Sequence, residues 1–265
     1  MKEHLKEAEA RVEALKKQEG EDDGAADRRR KAAQKRAAED RLARVKRALE
    51  ERAMLAERQD EVKSTNGPKS RPHEARASTT DPDARRMKMP DGGFRPALNA
   101  EFATDTGSGI IVGVDVVKVG SDSGQLKPMV DQIRKRYAKV PKRILADGDF
   151  AKLEDIQTLH ESKVVVYAPV KNAAKAVESG KNPFEAKRYD TEGVAGWRER
   201  MGTEAAKAIY KRRASAAEWA NARARGMGLR QFAVRGVAKA KAQAVLVALA
   251  HNLRQMTLLA ERSKG

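Results

Sequence analysis

The sequence contains no cysteine. Disulfides, thiolate nucleophiles and cysteine-held metals are therefore excluded. Aromatic residues make up only 4% of the chain, so whatever core it builds is aliphatic. Long apolar runs are also missing. The most apolar stretch, AQAVLVALAHNL near the end, is too short to span a bilayer. The opening MKEHLKEAEA lacks the apolar segment that a signal peptide needs. A cytoplasmic protein without a membrane partner is the expectation. No phosphate-cradling glycine loop and no nucleophilic serine motif occurs. His4, His73, His160 and His251 are scattered without metal-ligand spacing, and His251, in LAHNL, reads as a satisfied core histidine.

What is plentiful is positive charge. The 265 residues carry 55 Lys+Arg against 38 Asp+Glu, a formal net charge of +17. Its placement says more than its sum. Residues 1–66 hold 18 basic and 16 acidic side chains, whereas residues 197–265 hold 15 basic and 4 acidic ones. A local excess of that size attracts polyanions, and counterion release makes nucleic acid the natural partner. A solvated helix face is the competing explanation.

Three regions follow from the texture. Residues 1–63, rich in Ala, Glu, Lys and Arg and free of proline, read as a charged helical, coiled-coil-like arm broken near Gly20 and Gly24. Its stripe of Leu42, Val45 and Leu49 is too thin for a core. Residues 64–97, with the proline-bearing run STNGPKSRPHEARASTTDPDARRMKMPDGG, read as a linker. From 98 to 262 apolar, β-branched runs alternate with amphipathic ones. LNAEFATD and GIIVGVDVVKV flank a turn at 106–109, a hairpin signal. Asp122 and Ser123 are expected to cap a helix over GQLKPMVDQIRKRYA. The strand KRILAD, the helix AKLEDIQTLHES and the strand KVVVYAPV come next, then long helices. That order is α/β, a mixed sheet with flanking helices.

Two acids invite a chemical reading. Asp147 ends a predicted internal strand, where ligands gather in open α/β sheets. It is equally a turn aspartate before Gly148. Glu218 is the one acid between Glu204 and Glu261. Either it forms a surface ion pair, or it joins an aspartate in holding a hard divalent cation, which favours oxygen ligands. Trp197 and Trp219 read as packing residues.

Several blocks, in order, now add up to a resemblance: STTDPDARRMK, GGFRPALNAEFATDTGSGIIVGVDVVKVGSDSGQLKPM, RILADGDF, VVVYAPV, WRERMGTEAAKAIYKRRASAAE and GLRQFAVRGVAKAKAQAVLVALAHNL. Together, over about residues 78–260, they resemble the C-terminal two thirds of a DDE transposase from a bacterial insertion sequence. The resemblance implies a ribonuclease-H-like catalytic domain that cuts and joins DNA with two Mg²⁺ or Mn²⁺ ions and three carboxylates. It implies DNA, the transposon ends, as partner, and a cytoplasmic, nucleoid-associated protein. By resemblance the second acid is Asp147 and the third is Glu218, so these two are the metal ligands. Gly148, Asp149 and Phe150 follow Asp147 where the family usually has Ala-Gly-Tyr. Tyr210, Arg213, Glu218 and Arg225 resemble a tyrosine-arginine-glutamate-lysine signature. The arginine-to-glutamate spacing differs by one residue, and arginine stands for lysine. By the same resemblance Arg213 and Arg225 hold DNA phosphates.

The family's first acid, on its first central strand, has no counterpart here. Asp81 is the substitute candidate and Asp105 a second. The expectation is a reading frame that begins inside the transposase gene, lacks that strand, and is inactive. A second expectation is a non-catalytic DNA-binding or regulatory fragment. It would act through the basic C-terminal helices, as a homo-oligomer or paired with intact transposase.

Overall fold

Helix-forming side chains dominate the start of the chain, and the backbone follows them. In a computed structural model, which describes residues 1–17, 25–66, 74–89 and 91–263, the expected helices are α1 (Lys2–Lys17) and α2 (Ala25–Asn66). Ala, Glu, Lys and Arg all propagate a helix at little entropic cost. Val12 and Leu15 of α1 pack on Ala38 and Leu42 of α2, a seam with little apolar area. The break expected near Gly20 and Gly24 lies outside the described residues, as does His73. The chain divides into two units: Met1–Leu98 with Val234–Lys239, and Asn99–Ala233 with Ala240–Gly265.

The expected linker is only partly a linker. Residues 85–97 form a hairpin, β1 (Arg85–Lys88) antiparallel to β2 (Phe94–Ala97). Its turn uses Asp-Gly, a strong hairpin signal. Gly92 sits at φ +80°, and the Asp91 carboxylate accepts from the Gly93 N–H at 3.0 Å. Arg86 stacks 4.2 Å above the Phe94 ring, and Arg85 pairs with Glu51 of α2.

In the second unit β3 (Asn99–Thr104) and β4 (Ile111–Val117) are the expected antiparallel hairpin, irregular between Ala103 and Thr104. α3 (Leu126–Tyr137) follows, but Asp122 and Ser123 do not cap it. The Asp122 carboxylate instead accepts from the Asn99 amide at 2.7 Å, tying the helix approach to β3. β5 (Arg143–Leu145), α4 (Leu153–Glu161) and β6 (Val165–Tyr167) make a parallel βαβ unit. A short α5 (Ala173–Glu178) and the helices α6 (Glu192–Met201), α7 (Glu204–Gly226) and α8 (Val237–Arg262) follow.

The core surrounds β5 and β6, where Leu126, Ile156, Leu159, Val166 and Trp197 are buried together. Trp197 satisfies its indole N–H on the Ala168 carbonyl at 3.0 Å, the packing role its sequence suggested. The single mixed sheet expected from the element order does not form among the described residues. The strands make three separate pairs, β1–β2, β3–β4 and β5–β6. Among the described residues no strand pairs with both β3–β4 and β5–β6. No helix of the described residues is long and apolar enough to cross a membrane.

Candidate functional site

The turn after β5 places Asp147. Two residues past β5, with extended backbone, it caps a 3-10 turn, Gly148–Phe150, and its carboxylate accepts from the Gly148 N–H at 2.7 Å. Its other oxygen accepts from Arg213 of α7 at 3.0 Å. The Arg213 guanidinium also lies 6.0 Å from the Tyr210 ring. Burial pushes the Tyr210 hydroxyl above its usual pKa, with the Asp147 charge adding to the rise and Arg213 opposing it. Asp147, Tyr210 and Arg213 thus form one cluster. Asp149 is exposed on the turn.

Asp147 and Arg213 line a cavity of about 880 Å³ within the second unit. Residues of β3, α3, β5 and α7 all line it. α7 contributes Ile209, Arg212, Arg213, Ala216 and Ala217. Those positions recur at helical spacing and define one face. Glu218 is a single residue further on, turned by about 100°, and it does not line the cavity. It is exposed, and among the described residues it forms no ion pair. Arg225, near the end of α7, is exposed and likewise away from the cavity.

The two candidates for a first acid are both engaged locally. Asp105 directly follows β3, and its carboxylate accepts from the Ser108 N–H at 2.7 Å and the Ser108 hydroxyl at 2.6 Å. These bonds hold its pKa below the usual carboxylate value. Asp81 belongs to the first unit. Its carboxylate accepts from the Asp83 N–H at 3.1 Å and the Gly236 N–H at 3.0 Å, at the start of α8. Asp83 beside it accepts from the Val237 N–H at 3.0 Å. Orphan amides at a helix start favour such carboxylates.

A two-ion centre needs several carboxylates converging on one point. Among the described residues no group of three acidic or histidine side chains is placed to hold a metal ion. The carboxylate best positioned, Asp147, is neutralised by an arginine. This donor set does not fit a pair of divalent cations.

Sequence reasoning passed over Glu101. It stands in β3 directly opposite Asp115 of β4, is only 7% exposed, and one of its oxygens is buried without a partner. Burial first, and then the neighbouring Asp122 and Asp115 charges, push its carboxyl up to about 7. The alternation in AEFA and GVDV places the two acids across from each other, a signal readable once the hairpin register is known. Arg212, on the cavity face of α7, was also passed over.

Residues 66–253 match the family model described as the transposase DDE domain. No curated protein matches the chain, and no solved structure matches it.

Proposed function

The chain belongs to the transposase DDE domain family, and from that premise we propose that it binds DNA without cutting or joining it. Transposases of this family act on DNA and generally use divalent metal ions. The observation that carries the reading is the state of Asp147, the acid assigned by resemblance to metal. It is paired with Arg213, with no second carboxylate beside it in the cavity wall of α7.

DNA contact is assigned to α7. Lys207, Lys211, Arg212, Arg213, Arg223 and Arg225 lie along it, and phosphate contacts need cations placed to track a backbone. Tyr210 supports the Arg213 position. By resemblance, Asp147 and Glu218 are the residues that would hold Mg²⁺ or Mn²⁺ in the family's reaction, where the metal would stabilise the attacking and leaving oxygens. The finer fold is a ribonuclease-H-like sheet whose halves are β3–β4 and β5–β6. Self-association, and a place in the cytoplasm on the nucleoid, go with a DNA partner.

Two assays test this reading. Supercoiled DNA incubated with the full chain in Mg²⁺ or Mn²⁺ is expected to show no nicking above that of Asp147→Ala. Robust metal-dependent nicking that Asp147→Ala abolishes overturns the non-cleaving assignment. In a mobility-shift titration, Arg213→Gln with Arg225→Gln is expected to weaken duplex binding and flatten its salt dependence. Unchanged binding removes α7 as the contact.

A further inference from the structure

We infer that the exposed face of the β1–β2 hairpin enters the major groove of duplex DNA, where Arg86 reads a guanine and Phe94 meets a thymine methyl group. This rests on the reading that the chain binds DNA. It adds a sequence-reading contact in the first unit to the phosphate contacts assigned to α7.

The register sorts the hairpin's side chains onto two faces. Arg86 stands opposite Pro96, and Lys88 opposite Phe94. Residues directly across share a face, while neighbours along a strand alternate. These four therefore form one face, and all four are exposed. On the other face Met87 is buried and Arg85 pairs with Glu51 of α2. The hairpin is a ribbon held to α2 from behind, with its second face open.

That open face carries cations with no acid to meet them. Among the described residues neither Arg86 nor Lys88 forms an ion pair. The hairpin's one acid, Asp91, is engaged by Arg95 and by the Gly93 N–H. Arg86 offers more than charge, since its guanidinium lies 4.2 Å over the Phe94 ring. Stacking holds the plane of the guanidinium and leaves its donors at the edge. A planar fork held in this way suits the bidentate pairing of arginine with guanine O6 and N7. Phe94 remains 51% exposed beneath the arginine, and an apolar surface in the same groove meets the methyl group of thymine.

Size and edges favour the duplex over a protein partner. A two-stranded ribbon fits the major groove, about 12 Å wide, and not the minor groove, about 6 Å. The four residues of β1, at about 3.3 Å each, cover roughly four base pairs. A partner strand finds the β2 edge blunted. The Met89 N–H donates to the Gly93 carbonyl at 2.8 Å, and bonded pairs alternate along an antiparallel ladder. Pro96 thus falls where a strand's N–H would point outward, and it has none to give.

The test is selection from a pool of randomised duplexes on the full chain, then dimethyl sulfate footprinting of the selected duplex. That reagent methylates guanine N7, which faces the major groove. At saturating protein a guanine of the selected site is expected to be protected. Arg86→Ala and Arg86→Lys are both expected to lose that protection. Each should lower the preference for the selected duplex over one with that base pair inverted by about tenfold, because lysine keeps the charge but not the fork. Replacing thymine by uracil in the site is expected to weaken binding by the parent chain and not by Phe94→Ala. Both side chains are exposed, so circular dichroism of the variants should match the parent. A pool without a consensus, protection retained in Arg86→Ala, full preference in Arg86→Lys, or no uracil penalty each overturns the proposal. So does a uracil penalty unchanged in Phe94→Ala. Polyglutamate competing as well as the selected duplex at equal charge also overturns it, and would make the face a dock for an acidic protein. Duplex binding without these signatures removes the ribbon and leaves α7, whereas no duplex binding at all removes both.

Discussion

The two halves of the second unit are held by different forces. Around β5 and β6 the side chains are apolar and buried, centred on Trp197, Ile156, Leu159 and Val166. The β3–β4 hairpin is instead gripped by polar groups of α8. Asn252 accepts from the Ile111 N–H and donates to its carbonyl, both at 2.8 Å. Gln255 donates to the Ser108 carbonyl at 2.7 Å, and the Gly109 carbonyl accepts from His251 at 2.9 Å. The hairpin also buries an acid, Glu101. One half is fixed by packing, which is non-directional; the other adds to its own buried Ile111, Val114 and Val116 hydrogen bonds that fail outright when one partner goes.

Removing the centre of the packed half has the largest expected effect. Trp197→Ala deletes a fully buried indole and should cost about 3–5 kcal/mol, read as a lower urea midpoint. Exchange should quicken around β5 and β6 first. Equal quickening at β3 and β4 would show that the halves are not independent.

The next effect is in pH. Glu101 holds its proton up to about pH 7 in the folded chain, against an ordinary 4.5. The folded state therefore binds a proton that the unfolded chain has released between those values. This contribution to stability is fully present below 4.5 and is lost as the pH rises through 7. The loss is on the order of 3 kcal/mol. Glu101→Gln should unfold later than the parent chain at pH 8 and close to it at pH 5. A gain independent of pH would detach the effect from this carboxyl.

The smallest effect belongs to the polar grip. Asn252→Ala leaves the N–H and the C=O of Ile111 unpaired and should cost roughly 1–3 kcal/mol. Faster exchange confined to the 105–112 turn is the signature. Loss of protection at Val166 instead would place Asn252 in the wrong half.

The same contrast explains what the sequence reveals. Amphipathic periodicity announces α4, and β-branched runs announce β4 and β6, because burying a stripe needs a repeating pattern. The α8 grip has no such pattern. Asn252 and Gln255 are ordinary polar residues until a distant turn is brought beneath them. Asp147 was legible as a strand-end acid, but its arginine partner, 66 positions away, was not. Glu218 illustrates phase: the one-residue difference in its spacing from Arg213 carries it off the cavity face of α7. The β1–β2 hairpin was hidden by the prolines around it, although Asp91-Gly92 is a hairpin turn signal in its own right.

The bond between Arg213 and Asp147 has a corollary. With the guanidinium 27% and the carboxylate 56% exposed, such a half-wet pair is worth only about 0–1 kcal/mol. A phosphate drawing the guanidinium aside would bare the carboxylate in the same movement. Arrival of the polyanion and unmasking of the acid are then a single event, and salt that loosens one loosens the other.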